Sequence, residues 1–195
     1  MTMPAQKPHA SEQVVQTPLD LLYAIGHRFG HIQWDLAANA DNSVAAVGTD
    51  LRYFGPDHKT KGFRDALAPE LDWPTNSFNW CNPPFGKLEP WVEKAAAQLE
   101  RCDVRTLMLL PAGIGSRWFS RFVHRRAHVT ALEGRVIFQG HDTPYPKDLI
   151  LAHYGFGLTG FDVWDWRGYL KGVEAKAAGE CVPAANVVEA LRGAA

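Results

Sequence analysis

Residues 77–110 read SFNWCNPPFGKLEPWVEKAAAQLERCDVRTLMLL, and this stretch determines the expected fold class. The apolar run SFNWC predicts a short strand, and Pro90 begins a segment whose apolar residues recur at helical spacing. The continuous apolar run VRTLMLL at 104–110 is typical of a buried parallel strand. A strand, a helix and a second strand in this order predict an α/β fold, with a mostly parallel central sheet flanked by helices.

The segments before this stretch extend the same pattern. Residues 17–30 predict a helix, and residues 31–38 predict a strand that ends in Asp35 and the small residues after it. Three residues are expected to set the bounds of the helix: Thr17 as its N-cap, Pro18 at its first position and Gly30 as its stop.

Two connecting segments have the composition of loops. The sequence ADNSVAAVG at 40–48 is interpreted as a short turn or helix. Residues 55–76 are rich in Pro, Gly, Asp and Lys and predict a long loop with one helical turn at Phe63–Leu67. Because long loops inside a compact domain are often functional, this loop is a candidate for substrate contact.

The segments after the central stretch predict one more helix and further strands. Residues 116–127 predict a helix capped by Ser116, with aromatic residues at four-residue spacing. Residues 128–140 and 148–158 predict closing strands, and the first of these segments contains a candidate hairpin that turns at Glu133–Gly134.

Composition indicates one folded unit. Hydrophobic residues make up 46% of the 195 residues and charged residues 21%, which is close to average globular usage. We expect a flexible lead at 1–15, the main domain at 16–170, and an extension at 171–195 with a candidate helix from Pro183 to Leu191.

The sequence predicts a cytoplasmic protein. The three cysteines, Cys81, Cys102 and Cys181, are odd in number and widely spaced, so they favour neither a disulfide framework nor a CxxC metal site. The first sixteen residues lack the apolar core of a signal peptide, and no run of eighteen apolar residues occurs, so no membrane association is expected. The formal net charge of -1 does not by itself indicate a nucleic-acid partner.

The sequence Asn82-Pro83-Pro84-Phe85 has the properties of a ligand-binding turn. In open α/β sheets, ligands bind at the carboxyl ends of strands, which is where this segment is expected. The two prolines fix φ and lack N–H donors, so the backbone offers only carbonyl oxygens, and Asn82 adds a side-chain oxygen. These residues therefore predict a rigid corner of hydrogen-bond acceptors beside an aromatic ring.

Such a corner suits the exocyclic amino group of a nucleobase. The two N–H donors of the amine can bind the Asn82 amide oxygen and the Pro83 carbonyl, while Phe85 stacks on the base. Two acceptors that draw the amine toward tetrahedral geometry would release its lone pair for attack on a methyl group. Because a base inside a duplex cannot reach the corner, the base would have to be flipped out.

Asn-Pro-Pro-Phe is accompanied by further motifs across about residues 16–155: Thr17-Pro18, WDLAANADN at 34–42, RYFGPD at 52–57, Asp65-Ala66-Leu67, PWVEKA at 90–95, LLPA at 109–112 and GRVIF at 134–138. Asn-Pro-Pro-Phe matches the [Asn/Asp/Ser]-Pro-Pro-[Tyr/Phe/Trp] motif of amino-group DNA methyltransferases, which use S-adenosylmethionine. With all these motifs in this order, the sequence resembles the phage N-6-adenine DNA methyltransferases, the Dam-like family.

This resemblance implies a Rossmann-like methyltransferase domain that transfers a methyl group from S-adenosylmethionine to adenine in double-stranded DNA. The catalytic residues it implies are Asn82, Pro83, Pro84 and Phe85. The residues it implies on the cofactor side are Thr17, Pro18, Asp35, Ala37, Ala38 and Asp65. It requires neither a metal nor a nicotinamide.

The sequence departs from the usual methyltransferase pattern after Asp35, where many of these enzymes carry a glycine-rich G-x-G loop. A G-x-G does occur as Gly113-Ile114-Gly115, so a permuted enzyme with its cofactor at that loop is a second arrangement. Leu110-Pro111 supplies no acidic partner there, which favours the first arrangement. Whether this loop contacts cofactor or DNA stays open.

A basic segment is the candidate DNA surface. Arg117, Arg121, Arg125 and Arg126 lie close together in sequence, and phosphate contacts by such residues would be independent of DNA sequence. A solvated face of an amphipathic helix explains each arginine equally well. His124 and His128 have metal-ligand spacing, but no nearby Glu or Cys completes a site, so surface histidines are the favoured interpretation.

Three functions are compatible with these observations. The first is an adenine-specific DNA methyltransferase, in a phage or in a restriction-modification system. The second keeps the chemistry and changes the acceptor to a cytosine amine, RNA or a protein amide. The third is a nucleic-acid-binding relative without turnover. Neither the recognition sequence nor the oligomeric state follows from the sequence.

Overall fold

A computed structural model of the protein describes residues 16–47, 50–101, 103–157 and 159–177. Within these ranges a six-stranded sheet is covered by two helices on each face. The helices are α1 (Leu19–Phe29), α2 (Glu89–Arg101), α3 (Arg117–Phe122) and α4 (Trp166–Ala177). The strands are β1 (Trp34–Asp35), β2 (Ala46–Val47), β3 (Asp50–Leu51), β4 (Phe78–Cys81), β5 (Arg105–Pro111), β6 (His128–Leu132), β7 (Leu149–Tyr154) and β8 (Gly160–Trp164).

The large sheet is mixed, with strand order β1-β4-β5-β7-β6-β8. β1, β4 and β5 pair in parallel, and β6 pairs in parallel with β8. β7 runs antiparallel to both of its neighbours, β5 and β6. The prediction of an α/β fold is confirmed, and that of a mostly parallel sheet only in part, because β7 reverses direction in the middle of the sheet.

The two faces of the sheet form two cores, and β5 contributes to both. Its buried side chains alternate, so that Met108 and Leu110 lie in one core while Leu107 and Leu109 lie in the other. The first core packs against α2 and α3, and the second packs against α1 and α4. This arrangement confirms the prediction of a sheet covered on both faces.

The α2 helix follows the predicted pattern with one polar addition. Val92, Ala95 and Ala96 are buried as their helical spacing predicts. Gln98 is also buried, because its side-chain oxygen accepts a hydrogen bond of 2.9 Å from the backbone N–H of Trp73. The glutamine therefore anchors the end of the long loop before β4 to the helix.

The α1 helix ends as predicted but begins differently. Gly30 terminates the helix with φ of 108°, a conformation that favours glycine. Thr17 is not the N-cap, so that prediction is wrong. Pro18 occupies the cap position with φ of -59° and ψ of 140°, and its side chain offers no acceptor to the helix. The hydroxyl of Thr17 has a different partner, Asn82.

The connecting segments match their predicted conformations only in part. The segment predicted as a turn or helix at 40–48 forms a turn, and then β2 pairs antiparallel with β3. The predicted helical turn at Phe63–Leu67 is displaced, because the structure places the 3₁₀ turn over Lys61–Phe63 and only a hydrogen-bonded turn at Asp65–Ala68. The sequence marked this region as a loop correctly but did not locate its 3₁₀ turn.

The predicted hairpin at Glu133–Gly134 does not form. Gly134 has φ of 72° and redirects the chain after β6 into an irregular segment instead of a returning strand. β6 pairs with β7 and β8 instead. The helix predicted at 116–127 is also shorter than expected, since α3 ends at Phe122 and Arg125 has a positive φ of 59°.

The C-terminal part of the described chain contains two elements that the sequence pattern did not predict, β8 and α4. The expected lead at 1–15 and the candidate helix from Pro183 to Leu191 lie outside the described residues. Among the residues that the structure describes, no helix is long and apolar enough to cross a bilayer.

Replacing Leu109 with Ala tests the second core. The side chain is fully buried, so we expect the free energy of unfolding to fall by about 2–5 kcal/mol, from lost burial and the remaining cavity. Urea denaturation measures this change. The matched control is Leu19→Ala, because Leu19 is 71% exposed and its loss should change stability by less than about 0.5 kcal/mol. Equal losses for the two variants would contradict the assigned core.

Candidate functional site

The parallel pairing of β1 and β4 brings two predicted site segments together. Trp34 lies opposite Asn79, and Asp35 lies opposite Trp80. The backbone N–H of Leu36 donates a 2.8 Å hydrogen bond to the Trp80 carbonyl, which continues the pairing beyond Asp35. Since carboxyl ends of neighbouring parallel strands meet at one edge, Asp35 and Asn82 begin adjacent loops at the same edge of the sheet.

The Asn-Pro-Pro-Phe segment forms a stiff connection between β4 and α2. Pro83 is buried, and Pro84 has φ of -56° and ψ of 114°. The Pro84 carbonyl accepts a 3.0 Å hydrogen bond from the N–H of Lys87, which closes a 3₁₀ turn over Phe85–Lys87. Neither proline carries an N–H, so the backbone here presents oxygen atoms without competing donors.

Phe85 is held by two other aromatic side chains. Its ring lies 5.4 Å from the ring of Tyr145 and 6.0 Å from that of Phe138, both in edge-to-face geometry. Phe138 is buried, Phe85 and Tyr145 are half-buried, and burial raises the pKa of the Tyr145 hydroxyl. The three rings form an aromatic cluster beside the Asn-Pro-Pro turn.

A cavity of about 310 Å³ opens at this edge of the sheet. Its walls come from the loops after β1 and β4, from the segment after β3 and from the start of α2. The predicted site residues that line it are Thr17, Asp35, Ala37, Ala38, Asp65, Asn82, Pro83 and Pro84. Residues far apart in the sequence thus line one cavity.

Asp35 is a buried carboxyl group that organises the loop after β1. One side-chain oxygen accepts a hydrogen bond of 3.2 Å from the Ala37 N–H, and the other accepts one of 3.1 Å from the Val44 N–H. Burial raises the pKa of Asp35 to about 6, and the two backbone hydrogen bonds oppose that rise. Asp35 therefore changes charge just below neutral pH.

Side chains, rather than glycines, fix the rest of this loop. The Asn39 side-chain oxygen accepts from the N–H groups of Asp41 and Asn42 at 3.0 and 3.1 Å. Asp57 accepts a 2.8 Å hydrogen bond from the N–H of Ala40, which ties the loop to the segment after β3. These bonds account for a defined cavity wall where the glycine-rich loop is absent.

Gly55 allows two segments of the cavity wall to touch. The Ala38 N–H donates a 3.0 Å hydrogen bond to the Phe54 carbonyl, which brings the two chains close together. A Cβ at position 55 would overlap with the carbonyl oxygen of Ala38. The position therefore requires glycine for lack of space.

Two of the expected cofactor residues stand at the margin of the cavity. Pro18 directly precedes α1, where its carbonyl accepts a 3.1 Å hydrogen bond from Leu22, and it is not among the lining residues. Asp65 lines the cavity but is exposed, and its side chain accepts a 2.8 Å hydrogen bond from the N–H of Leu67. Arg64 lies next to it in the lining.

The Gly113-Ile114-Gly115 loop follows β5 at the same edge of the sheet but does not line the cavity. Ile114 is 65% exposed, and Gly113 packs closely against the Trp118 ring. Among the described residues, no group of three or more His, Cys, Asp or Glu is arranged to hold a metal ion.

The four arginines of the expected DNA surface are exposed and differ in their partners. Arg121 lies 3.5 Å from Glu89, and Arg126 forms an ion pair with Glu100. Arg117 and Arg125 have no acidic partner within the part of the chain that the structure describes. The four guanidinium groups thus differ in whether an acidic side chain of the described residues lies beside them.

Sequence reasoning missed several residues that build the site. Trp91 was not among the predicted site residues, but it lines the cavity and also packs, half-buried, against the first core. Gly55 was noted only as part of a loop and of the RYFGPD motif. Asn39 lies in WDLAANADN at 34–42, a segment that was noted only as one of the family's motifs. No sequence signal identified Gln139, whose side chain donates a 2.6 Å hydrogen bond to the Thr17 carbonyl.

Comparison with known proteins gives two matches. Residues 5–149 match the family described as DNA N-6-adenine-methyltransferase (Dam). A protein of Escherichia phage T1 described as a DNA N-6-adenine-methyltransferase is 26% identical over 126 residues, which cover 65% of this chain and 47% of the phage protein. The chain thus spans about half the length of that curated relative.

Replacing Gly55 with Ala tests the close approach in the cavity wall. We expect the free energy of unfolding to fall by about 1–3 kcal/mol, because the added methyl group must displace the Ala38 carbonyl. Chemical denaturation measures the loss. Gly62→Ala is the control, since a Cβ at that glycine meets no heavy atom within 4 Å. A Gly55→Ala protein as stable as the control would disprove the constraint.

Proposed function

The chain belongs to the DNA N-6-adenine-methyltransferase (Dam) family, and we propose that it transfers a methyl group from S-adenosylmethionine to the exocyclic amine of adenine in double-stranded DNA. One observation carries the proposal: Asn82, Pro83 and Pro84 lie in the wall of the same cavity as the carboxyl groups of Asp35 and Asp65. An acceptor corner for an amine and a carboxylate-lined space for a cationic cofactor are therefore adjacent.

The acceptor corner prepares the adenine amine. The Asn82 amide oxygen and the Pro83 carbonyl accept its two N–H bonds, which draws the nitrogen toward tetrahedral geometry and makes its lone pair available. Asn82 is not a base, so the proton leaves to solvent after the new bond has formed. Phe85, steadied by Tyr145 and Phe138, stacks on the flipped-out base and partly offsets the cost of flipping.

The cavity residues fit S-adenosylmethionine. The carboxylates of Asp35 and Asp65 suit an ammonium group or ribose hydroxyls, and Ala37 and Ala38 let the backbone approach closely. The aromatic side chain of Trp91 offers an apolar surface for a purine ring. When bound, S-adenosylmethionine supplies an electrophilic methyl group carried on sulfonium.

The strand arrangement supports a Rossmann-like assignment of the domain. β1, β4 and β5 are adjacent and parallel, and α2 connects β4 to β5 across one face of the sheet. The cavity lies at the carboxyl ends of β1 and β4, which is where ligands bind in open α/β sheets.

We further propose that DNA reaches the cavity along a basic face on α3 and the turn after it. Arg117 and Arg125 would contact phosphates directly, whereas Arg121 and Arg126 would first have to exchange their acidic partners. Such contacts position the duplex without reading its sequence, so any site specificity would come from the loops around the cavity.

The decisive measurement uses purified protein, S-adenosylmethionine and genomic DNA without modified adenine, followed by sequencing that detects N-6-methyladenine. We expect methylated adenine with wild-type protein. Asn82→Ala should lower the rate by about 100-fold or more, because one of two transition-state acceptors is removed, and should leave cofactor affinity nearly unchanged.

A matched control and alternative acceptors complete that experiment. Asn76→Gly removes an exposed asparagine whose φ of 53° glycine tolerates, and its activity should equal that of wild type. Parallel reactions offer RNA, protein and DNA whose only amino bases are cytosines. Methylation of one of these in place of adenine, or full activity of Asn82→Ala, would refute the proposal.

Cofactor affinity should depend on pH through Asp35. The pKa of about 6 means that this carboxyl is protonated in the free protein at lower pH, whereas an ammonium group requires the carboxylate. Binding below pH 6 must therefore release a proton, and affinity should fall by up to about tenfold per pH unit. Calorimetry between pH 5 and 8 measures this dependence. Asp35→Asn should bind more weakly at neutral pH and lose the dependence, and an unchanged profile in that variant would contradict the role.

A further inference from the structure

The Thr17 side chain lies against the proposed catalytic amide. Thr17 is 4% exposed, and its Oγ1 accepts a 3.2 Å hydrogen bond from Nδ2 of Asn82, a residue 65 positions later in the chain. Both side chains line the cavity. The contact is therefore part of the site and does not belong to the start of α1, where sequence spacing had placed Thr17.

Gln139 fixes Thr17 in this place. The Gln139 side chain donates a 2.6 Å hydrogen bond to the Thr17 carbonyl, and its backbone N–H donates one of 3.0 Å to the Gln16 carbonyl. Gln139 directly follows Phe138, one of the two rings packed against Phe85. One short segment thus holds Phe85 directly and reaches Asn82 through Thr17.

The consequence of this bond is geometric. The nitrogen and the oxygen of a primary amide are bonded to the same carbon and lie in one plane. An anchored Nδ2 therefore also fixes the direction of Oδ1. An acceptor must meet the amine within hydrogen-bond distance in the transition state. Misplacement by about 1 Å can cost about 100-fold in rate. By holding Nδ2, Thr17 thus determines where Oδ1 of Asn82 lies, although Oδ1 belongs to Asn82 and not to Thr17.

We propose that Thr17 is a positioning residue: its hydroxyl orients the Asn82 amide so that the oxygen faces the amine, and Gln139 keeps the hydroxyl in place. This inference rests on the proposed methyl transfer. It replaces the role that the resemblance implied, in which Thr17 contacts the cofactor, and the two roles predict different kinetics.

The first test compares Thr17→Val with Thr17→Ser. Valine keeps the shape and removes the acceptor, so kcat should fall by about 10- to 100-fold while the Kd for S-adenosylmethionine stays within about threefold. Serine keeps the hydroxyl and should retain most of the activity. Thr75→Val, at an exposed threonine outside the cavity, should match wild type.

Two outcomes of these kinetics would overturn the inference. A raised Kd with unchanged kcat would mean that Thr17 contacts the cofactor. A fall in kcat for Thr17→Ser together with a wild-type kcat for Thr17→Val would mean that the methyl group matters through packing and that the hydroxyl does not. Gln139→Ala should lower kcat in the same direction without changing cofactor affinity, and a wild-type kcat in this variant would remove Gln139 from the proposal.

A second readout does not require activity. The side-chain amide of Asn82 gives an ¹⁵N–¹H pair of signals, identified by its absence in Asn82→Ala. Thr17→Val should shift these signals and speed their hydrogen exchange, and Thr17→Ser should preserve them. Unchanged signals in Thr17→Val would refute the orienting bond. Absence of methyl transfer by wild-type protein would instead refute the proposed function, and the spectra would still decide about the bond.

Discussion

The parallel register between β1 and β4 is the constraint on which the site depends. Asp35 is the last residue of β1 and lies opposite Trp80 of β4. Asn82 directly follows β4. A slip by one residue would turn the Asp35 side chain to the other face of the sheet and remove it from the cavity. The register is held by burial, because Phe78 and Trp80 lie in one core while Cys81 lies in the other.

The cavity wall after β1 is held in place without a glycine-rich loop. Several backbone N–H groups of this wall donate to the side chains of Asp35, Asn39 and Asp57. The cost is a carboxyl group buried in low dielectric, and its pKa near 6 reflects that cost. A cation bound beside Asp35 would favour the ionised form again, so cofactor binding and the charge of this loop would be coupled.

Local sequence patterns predicted those elements whose signals are local. The strand before Asn82 and the β5 strand follow from continuous apolar runs, and the α2 helix follows from its period of 3.6. Ser116 caps α3 as expected, and the N–H of Phe119 donates to its hydroxyl. Which strands pair with each other depends on residues far apart in the sequence, and local patterns were insufficient to predict it. They could not exclude a hairpin at Gly134, and they could not reveal that Thr17 would bind a side chain 65 residues away.

The absence of that hairpin explains how the turn containing Asn82 is supported. β6 runs in the same direction as β4 and β5, and β7 runs back, so the connection between β6 and β7 lies at the edge where the cavity opens. A returning strand after Gly134 would have drawn Phe138 and Gln139 into pairing beside β6. Since β8 takes that place instead, the connection is free to cross the edge, where Phe138 and Tyr145 meet Phe85 and Gln139 meets Thr17. The strand order of the sheet thus determines which residues can hold the turn that contains Asn82.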